Sequence, residues 1–136
     1  MARPSGPKVR CSGNWTEARF NQFIMSLLRQ GTRRWAPKTN ALKKARTRRG
    51  FYMCASCEEE VPATLKGSKG RVKNAIVDHI KPIIDPEVGF TGWDDTINSM
   101  FCEEDNLQVL CNSCHAVKTK QEREASKERR RKERSV

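Results

Sequence analysis

A chain of 136 residues with 36% hydrophobic and 32% charged residues has room for one domain around a small core, with arm or tail besides. No stretch approaches the roughly 20 apolar residues of a membrane span, and the opening MARPSGPKVR lacks the apolar segment of a secretory signal. The expectation is a cytoplasmic chain with no membrane partner. The net charge of +11 is unevenly spread: 13 Lys and Arg against one acid in residues 1–50, five against 11 in 51–105, and nine against four in 106–136.

Residues 1–13 are basic and contain Pro and Gly, the composition of a flexible arm. NWTEARFNQFIMSLLRQG, 14–31, predicts a helix: Asn14 caps it, Glu17 completes a capping box, and Gly31 stops it. Phe20, Phe23, Ile24, Leu27 and Leu28 form its apolar stripe, which packs in a core or against a second copy of the chain. A second helix is expected over 33–50, with Pro37 in its first turn and too many bases for one face. Those bases are read either as a solvated surface or as phosphate contacts, and the near absence of acids in this half favours phosphate.

Beyond FYMCASC, Gly67–Gly70, with Ser and Lys, looks like a turn or a disordered loop between strands. AIVDHI, 75–80, has strand character and stops at Pro82. WDDTINSMF predicts a short helix with Trp93, Ile97, Met100 and Phe101 on one face. NLQVLC, begun by Asn106, reads as a short strand, and the residues from Asn112 onward as a helix fraying into a basic tail. The expected segments are a basic arm with helices over 1–50, a core over 51–120, and a helical tail over 121–136. Trp15 and Trp35 either stack on bases or pack internally, whereas Trp93 is expected in the core.

Cys54/Cys57 and Cys111/Cys114 form CxxC…CxxC, 53 residues apart between Cys57 and Cys111. Two residues between thiolates let both reach one ion, and two such knuckles make the tetrahedral four-sulfur site that zinc prefers. The competing redox reading needs a thioredoxin-like strand and helix that the sequence does not suggest. A filled four-sulfur shell leaves no open position, so this zinc is structural, while Cys11 and Cys102 are left as free thiols. The only two histidines, His79 and His115, are then free for other work. His79 follows Asp78 at the end of a strand, where adjacent side chains point to opposite faces. His115 follows the second knuckle directly, in the first turn of the terminal helix.

VDHIKP followed by EEDNLQVLCNSCHAVKT resembles the signature of the HNH nuclease family, in its zinc-containing four-cysteine subgroup. The shared elements are D-H, a central N ahead of L-Q-x-L-C-x-x-C-H, and then K-T, and the match covers about residues 51–120. The wider run RRWAPK…ALKKAR…CASC…VDHIKP…GW is similar to stand-alone HNH proteins encoded by bacteriophages. Asp78 stands where the family name has a His, a variant that keeps a metal ligand.

The resemblance implies an α+β, ββα-metal fold stapled by zinc, in a DNA endonuclease that cuts one strand per site. It makes His79 the general base, with Asp78 and His115 holding a catalytic divalent ion such as Mg²⁺, Mn²⁺, Co²⁺ or Ni²⁺. It gives Asn106 the task of bracing the His79 loop, or of lending its carbonyl oxygen to the ion. Double-stranded DNA is the implied partner, contacted by Arg33, Arg34, Lys43, Lys44, Arg46, Arg48, Arg49, Lys118 and Lys120. A monomer or homodimer in a bacterial cytoplasm fits this picture. A non-catalytic, zinc-stabilised nucleic-acid-binding module explains the charge and the cysteines too, but leaves Asp78, His79, Asn106 and His115 without a role. A small regulator that binds acidic partner proteins is a third reading, which salt-sensitive DNA binding would oppose.

Overall fold

A computed structural model describes residues 6–135 as a small α+β fold with four helices and small antiparallel sheets. The expected flexible arm lies partly outside the described residues, which begin after Ser5. The chain divides into two compact units after Arg34. The expected segment 1–50 therefore spans both units, because α2 (Ala36–Ala45) packs on the strand β9 (Leu107–Leu110).

In the first unit, β1 (Lys8–Arg10) pairs with β2 (Trp15–Thr16), so this part of the arm is a hairpin. Cys11, Ser12 and Gly13 all take positive φ in the tight turn between them. Asn14 closes that turn, donating from its backbone to Arg10 O at 3.1 Å and from Nδ2 to Cys11 O at 3.0 Å. It is thus not the cap of α1 (Glu17–Gly31). Thr16 is, with its hydroxyl accepting from Arg19 N at 3.2 Å. Glu17 instead forms a two-point pair with Arg10, at 2.8 and 3.1 Å. No residue of α1 is buried, and Phe23 and Leu27 are nearly half exposed. Phe23 meets Trp15 edge to face at 5.3 Å, and Arg10 lies over Phe20. Within this unit the expected stripe is therefore only partly covered.

In the second unit, α2 ends at Ala45 rather than running to residue 50. Arg46–Arg48 form β3, which pairs with β4 (Phe51–Met53), and β4 pairs with β5 (Glu60–Pro62). The reversal between β3 and β4 uses Gly50 at φ 82°, a conformation glycine adopts without steric cost. β6 (Thr64–Gly67) and β7 (Gly70–Lys73) form a hairpin, so of the two readings of Gly67–Gly70 it is the turn that the structure has. A Cβ on Gly67 would stand 2.9 Å from both Gly70 O and Val72 Cγ1, so the closure needs glycine there.

β8 (Ile76–His79) pairs with β9, with Asp78 opposite Gln108 and His79 opposite Leu107. Between them lie a long loop, α3 (Trp93–Met100) and a 3-10 turn over Glu104–Asn106. Asn106 thus ends this turn instead of beginning the strand. α3 buries Thr96 and Met100, whereas Ile97, on the same apolar face in the sequence reading, is 41% exposed. Thr96 is accommodated because its hydroxyl donates to Gly92 O at 2.8 Å, so no polar group is left unpaired. Trp93 is half-buried, edge to face with Phe90, and Trp35 donates to Cys102 O and meets Phe101.

α4 (Asn112–Arg134) is a continuous helix and does not fray before its last residues. Ion pairs along it, Arg129 with Glu133 and Arg131 with Glu128, help to hold its second half. The core of this unit is small: Cys54, Val61, Leu110 and Cys111 pack together, with Cys114 against them, and Ala75, Met100, Leu107 and Val109 are buried besides. No helix among the described residues is long and apolar enough to cross a membrane.

Candidate functional site

The two CxxC knuckles meet although they lie far apart in sequence. β4 delivers Cys54, and β9 delivers Cys111 at the N-cap of α4. The knuckles are joined by Ala55 N donating to Val109 O at 2.8 Å and Cys111 N donating to Cys54 Sγ at 3.3 Å. All four Sγ atoms lie within 4.8 Å of one another. A tetrahedral ion with Zn–S bonds of about 2.3 Å needs sulfurs about 3.8 Å apart, so the cluster can hold a zinc ion with small adjustments.

The thiols differ in acidity. Burial works to raise Cys54, but backbone N–H groups at Cys57, Cys111 and Ser56 outweigh it and bring Cys54 down to about 6. Cys114 is pushed up to about 12 by its hydrogen bond with Cys111 and by burial. One sulfur favouring the thiolate beside others that resist it is what a crowded anionic set produces without a cation. Cys11 and Cys102 do not belong to the cluster.

A second set of polar side chains gathers where β8, β9 and α4 meet. Asp78 and His79 leave β8 on opposite faces, as strand geometry requires. Asp78 turns toward α4, where its Oδ1 lies 3.7 Å from His115 Nε2. His115 is held in the first turn of α4 by its backbone N–H donating to Cys111 O at 2.9 Å, next to the sulfur cluster. The other Asp78 oxygen, Oδ2, accepts from Lys118 Nζ at 2.7 Å and from Gln108 Nε2 at 3.1 Å. The Asp78 side chain is only 14% exposed, so these partners supply what water does not.

Lys118 also donates to the His79 carbonyl at 2.5 Å and pairs with Glu122 at 3.1 Å. Burial opposes its charge, but the hydrogen bonds to Asp78 and Glu122 prevail and raise its pKa above 10.5. On the opposite face, His79 Nε2 lies 2.9 Å from Met100 O. A carbonyl oxygen can only accept, so Nε2 carries a proton and Nδ1 of the neutral ring keeps its lone pair. Asn106 braces the chain after His79: its Oδ1 accepts from Lys81 N at 2.9 Å and its Nδ2 donates to Lys81 O at 3.3 Å. Beside this set a cavity of about 820 Å³ opens between the loop after His79, α3 and α4, with Lys118 and Glu122 in its wall.

The bases expected to be free divide into two groups. Arg33, Arg34, Lys43, Arg46, Arg49 and Lys120 are exposed. Three others are engaged. Lys44 pairs with Glu104, Arg48 pairs with Glu60 at 2.8 Å while lying over Phe51, and Lys118 faces inward onto Asp78. Gln108 and the Met100 carbonyl escaped sequence reasoning, since only strand register and the fold of the intervening helix bring them in. Lys118 carried a signal, because it stands three residues after His115 and so shares its side of α4. Among the described residues the cysteines are the one group of three or more metal-ligating side chains that could share an ion. The chain matches no protein-family model, no curated protein and no solved structure.

Proposed function

We propose that this chain is an HNH-type, metal-dependent endonuclease that hydrolyses phosphodiester bonds of DNA, with β8, β9 and α4 as its ββα core. The observation that carries the reading is the pairing of Asp78 Oδ1 with His115 Nε2 at 3.7 Å, with His79 next in the chain. Two ligands each about 2.1 Å from one ion stand at most about 4.2 Å apart, so this pair is within reach of one divalent cation. A carboxylate and an imidazole accept Mg²⁺ or Mn²⁺, and such an ion, when bound, stabilises negative charge on the scissile phosphate and on the leaving oxygen.

The chain's own residues do the rest. His79 donates Nε2–H to Met100 O and takes a proton from the attacking water at Nδ1. Asn106 positions His79 by fixing the backbone at Lys81. Gln108 and Lys118 hold Asp78 Oδ2 and leave Oδ1 turned toward His115. Structural zinc on Cys54, Cys57, Cys111 and Cys114 sets the start of α4, and hence His115. The exposed bases Arg33, Arg34, Lys43, Arg46, Arg49 and Lys120 hold the duplex through its phosphates. One such site cuts one strand per encounter. The charge distribution and the resemblance to phage HNH proteins suit a nuclease acting in a bacterial cytoplasm.

One feature favours the alternative of a binding module without catalysis: the Lys118 ammonium already compensates the charge of Asp78. The deciding experiment is nicking of supercoiled plasmid in Mg²⁺ or Mn²⁺, with His79→Ala alongside. Conversion to open-circular or linear DNA by the wild type but not by a folded, zinc-loaded His79→Ala chain supports the nuclease. Several sequence-diverse plasmids left intact in every metal, with DNA binding retained, leave the binding module or a nuclease with a very selective site.

A further inference from the structure

α4 extends well past the residues that meet Asp78, and its charges are sorted by face. Lys120, Arg123, Lys127, Arg130 and Arg134 recur at steps of three, four, three and four residues, which return to one side of a helix every two turns. Arg130 is half-buried and the other four are exposed. The glutamates serve other faces: Glu122, Glu128 and Glu133 pair with Lys118, Arg131 and Arg129. Among the described residues no ion pair involves a member of the basic stripe, and Glu124 at its border forms none either.

Like charges three and four residues apart repel each other and weaken a helix. Charge kept for solubility alone gains by interleaving acids, as α4 does on its other faces. An uncompensated row suits a ligand whose opposite charges also form a row. At 1.5 Å per residue the stripe runs about 21 Å from Lys120 to Arg134. That is about six base-pair steps along the duplex axis at about 3.4 Å each.

We infer that this stripe is a docking rail for the phosphate backbone of double-stranded DNA, on a side of α4 separate from Asp78 and His115. The inference takes its ligand from the nuclease reading and adds where the duplex is gripped. Its test is salt-dependent binding of a labelled 30-base-pair duplex to the full, zinc-loaded chain, on a His79→Ala background so that the duplex stays intact. One variant replaces the five stripe residues with Gln. A control of equal charge replaces Lys8, Lys66, Lys69, Lys73 and Lys132 with Gln, and circular dichroism checks that both keep their helices.

Each phosphate contact contributes about 0.9 to the slope of log K against log salt. The stripe variant is expected to lose about 4.5 units of slope. The wild type then weakens about 500-fold more than this variant between 50 and 200 mM salt, while the control shifts by less than one unit. Equal slopes in the stripe variant and the control overturn the rail, as does displacement of the duplex by polyglutamate at matched charge. Plasmid nicking, scored on the chain with His79 intact, separates the two readings. Nicking with a slope indifferent to the stripe refutes only the rail, whereas a stripe-dependent slope without nicking refutes only the nuclease.

Discussion

Chelating the zinc proposed for the cysteine cluster is the perturbation with the largest expected effect on the fold. The cluster is also part of the core of its unit, with Cys54, Val61, Leu110 and Cys111 as its buried members. Val61, Met100, Leu107, Val109 and Leu110, at about 1.5–3 kcal/mol each, together contribute roughly 7.5–15 kcal/mol of apolar burial in this unit. A structural zinc is worth about 10–16 kcal/mol at neutral pH, comparable with that apolar term and with the whole stability of a typical domain, about 5–15 kcal/mol. Without the ion, the two knuckles are joined only by packing and by hydrogen bonds such as Cys111 N to Cys54 Sγ. Chelation is therefore expected to abolish the cooperative melt of the 35–135 unit, and Cys54→Ser to do the same, whereas Cys102→Ser, outside the cluster, leaves it in place. Thermal melts by near-ultraviolet circular dichroism, reporting on Trp35 and Trp93, make the measurement. A fully chelated chain that melts within about 5 °C of the zinc-loaded chain, a difference of only about 1 kcal/mol, would refute the staple.

Three further outcomes follow from hydrogen bonds and caps. Asn106→Ala removes two bonds to Lys81 and should cost about 1–2 kcal/mol in urea melts. Plasmid nicking should fall about 100-fold, because a displacement near 1 Å at His79 is worth that much. Lys118 has a raised pKa in the folded chain, so its stabilisation is fully present below its ordinary value of 10.5 and lost as pH rises through the folded value. The wild type's advantage over Lys118→Met should accordingly hold at pH 8 and shrink by pH 11, and a gap of constant size would show that the ammonium charge is not what stabilises. Thr16→Ala should destabilise α1 by about 1 kcal/mol, read as lost helicity at 222 nm, while Asn14→Ala leaves the helix start unchanged.

What the sequence made legible is what short spacing encodes. CxxC dictates that two thiolates face one way, and AIVDHI and NLQVLC carry enough β-branched and apolar residues to be strands before their partner is known. The Gly67–Gly70 turn is legible for the same reason, since a two-residue reversal is a local demand on glycine. The misreadings arose where a local rule had two solutions. Asn14 and Thr16 are both competent caps, and a hairpin to β1 draws Asn14 into its turn. Arg46–Arg48 continue a basic run that looks helical, but pairing with Phe51 and Tyr52 satisfies their backbone as a strand. Ile97 outranks Thr96 in hydropathy, yet Thr96 is buried because Gly92 O takes its hydroxyl.

Charge was the least legible property of all, and it bears most directly on function. A lysine's type says nothing about whether its ammonium is free, because that depends on which acids the fold brings near. Lys44, Arg48 and Lys118 look no different in sequence from Lys43, Arg46 and Lys120, yet the first three are committed to Glu104, Glu60 and Asp78. The acidic middle of the chain therefore does more than separate two basic flanks: it removes particular bases from the set a polyanion can use. On α4 the same sorting works in the other direction. Three of its glutamates bind bases away from the Lys120–Arg134 stripe and leave that row uncompensated. A substitution that freed one of those glutamates, such as Arg131→Gln releasing Glu128, should weaken duplex binding by more than the loss of one remote charge. Lys132→Gln, its neighbour without an ion pair, is the measure of that remote charge.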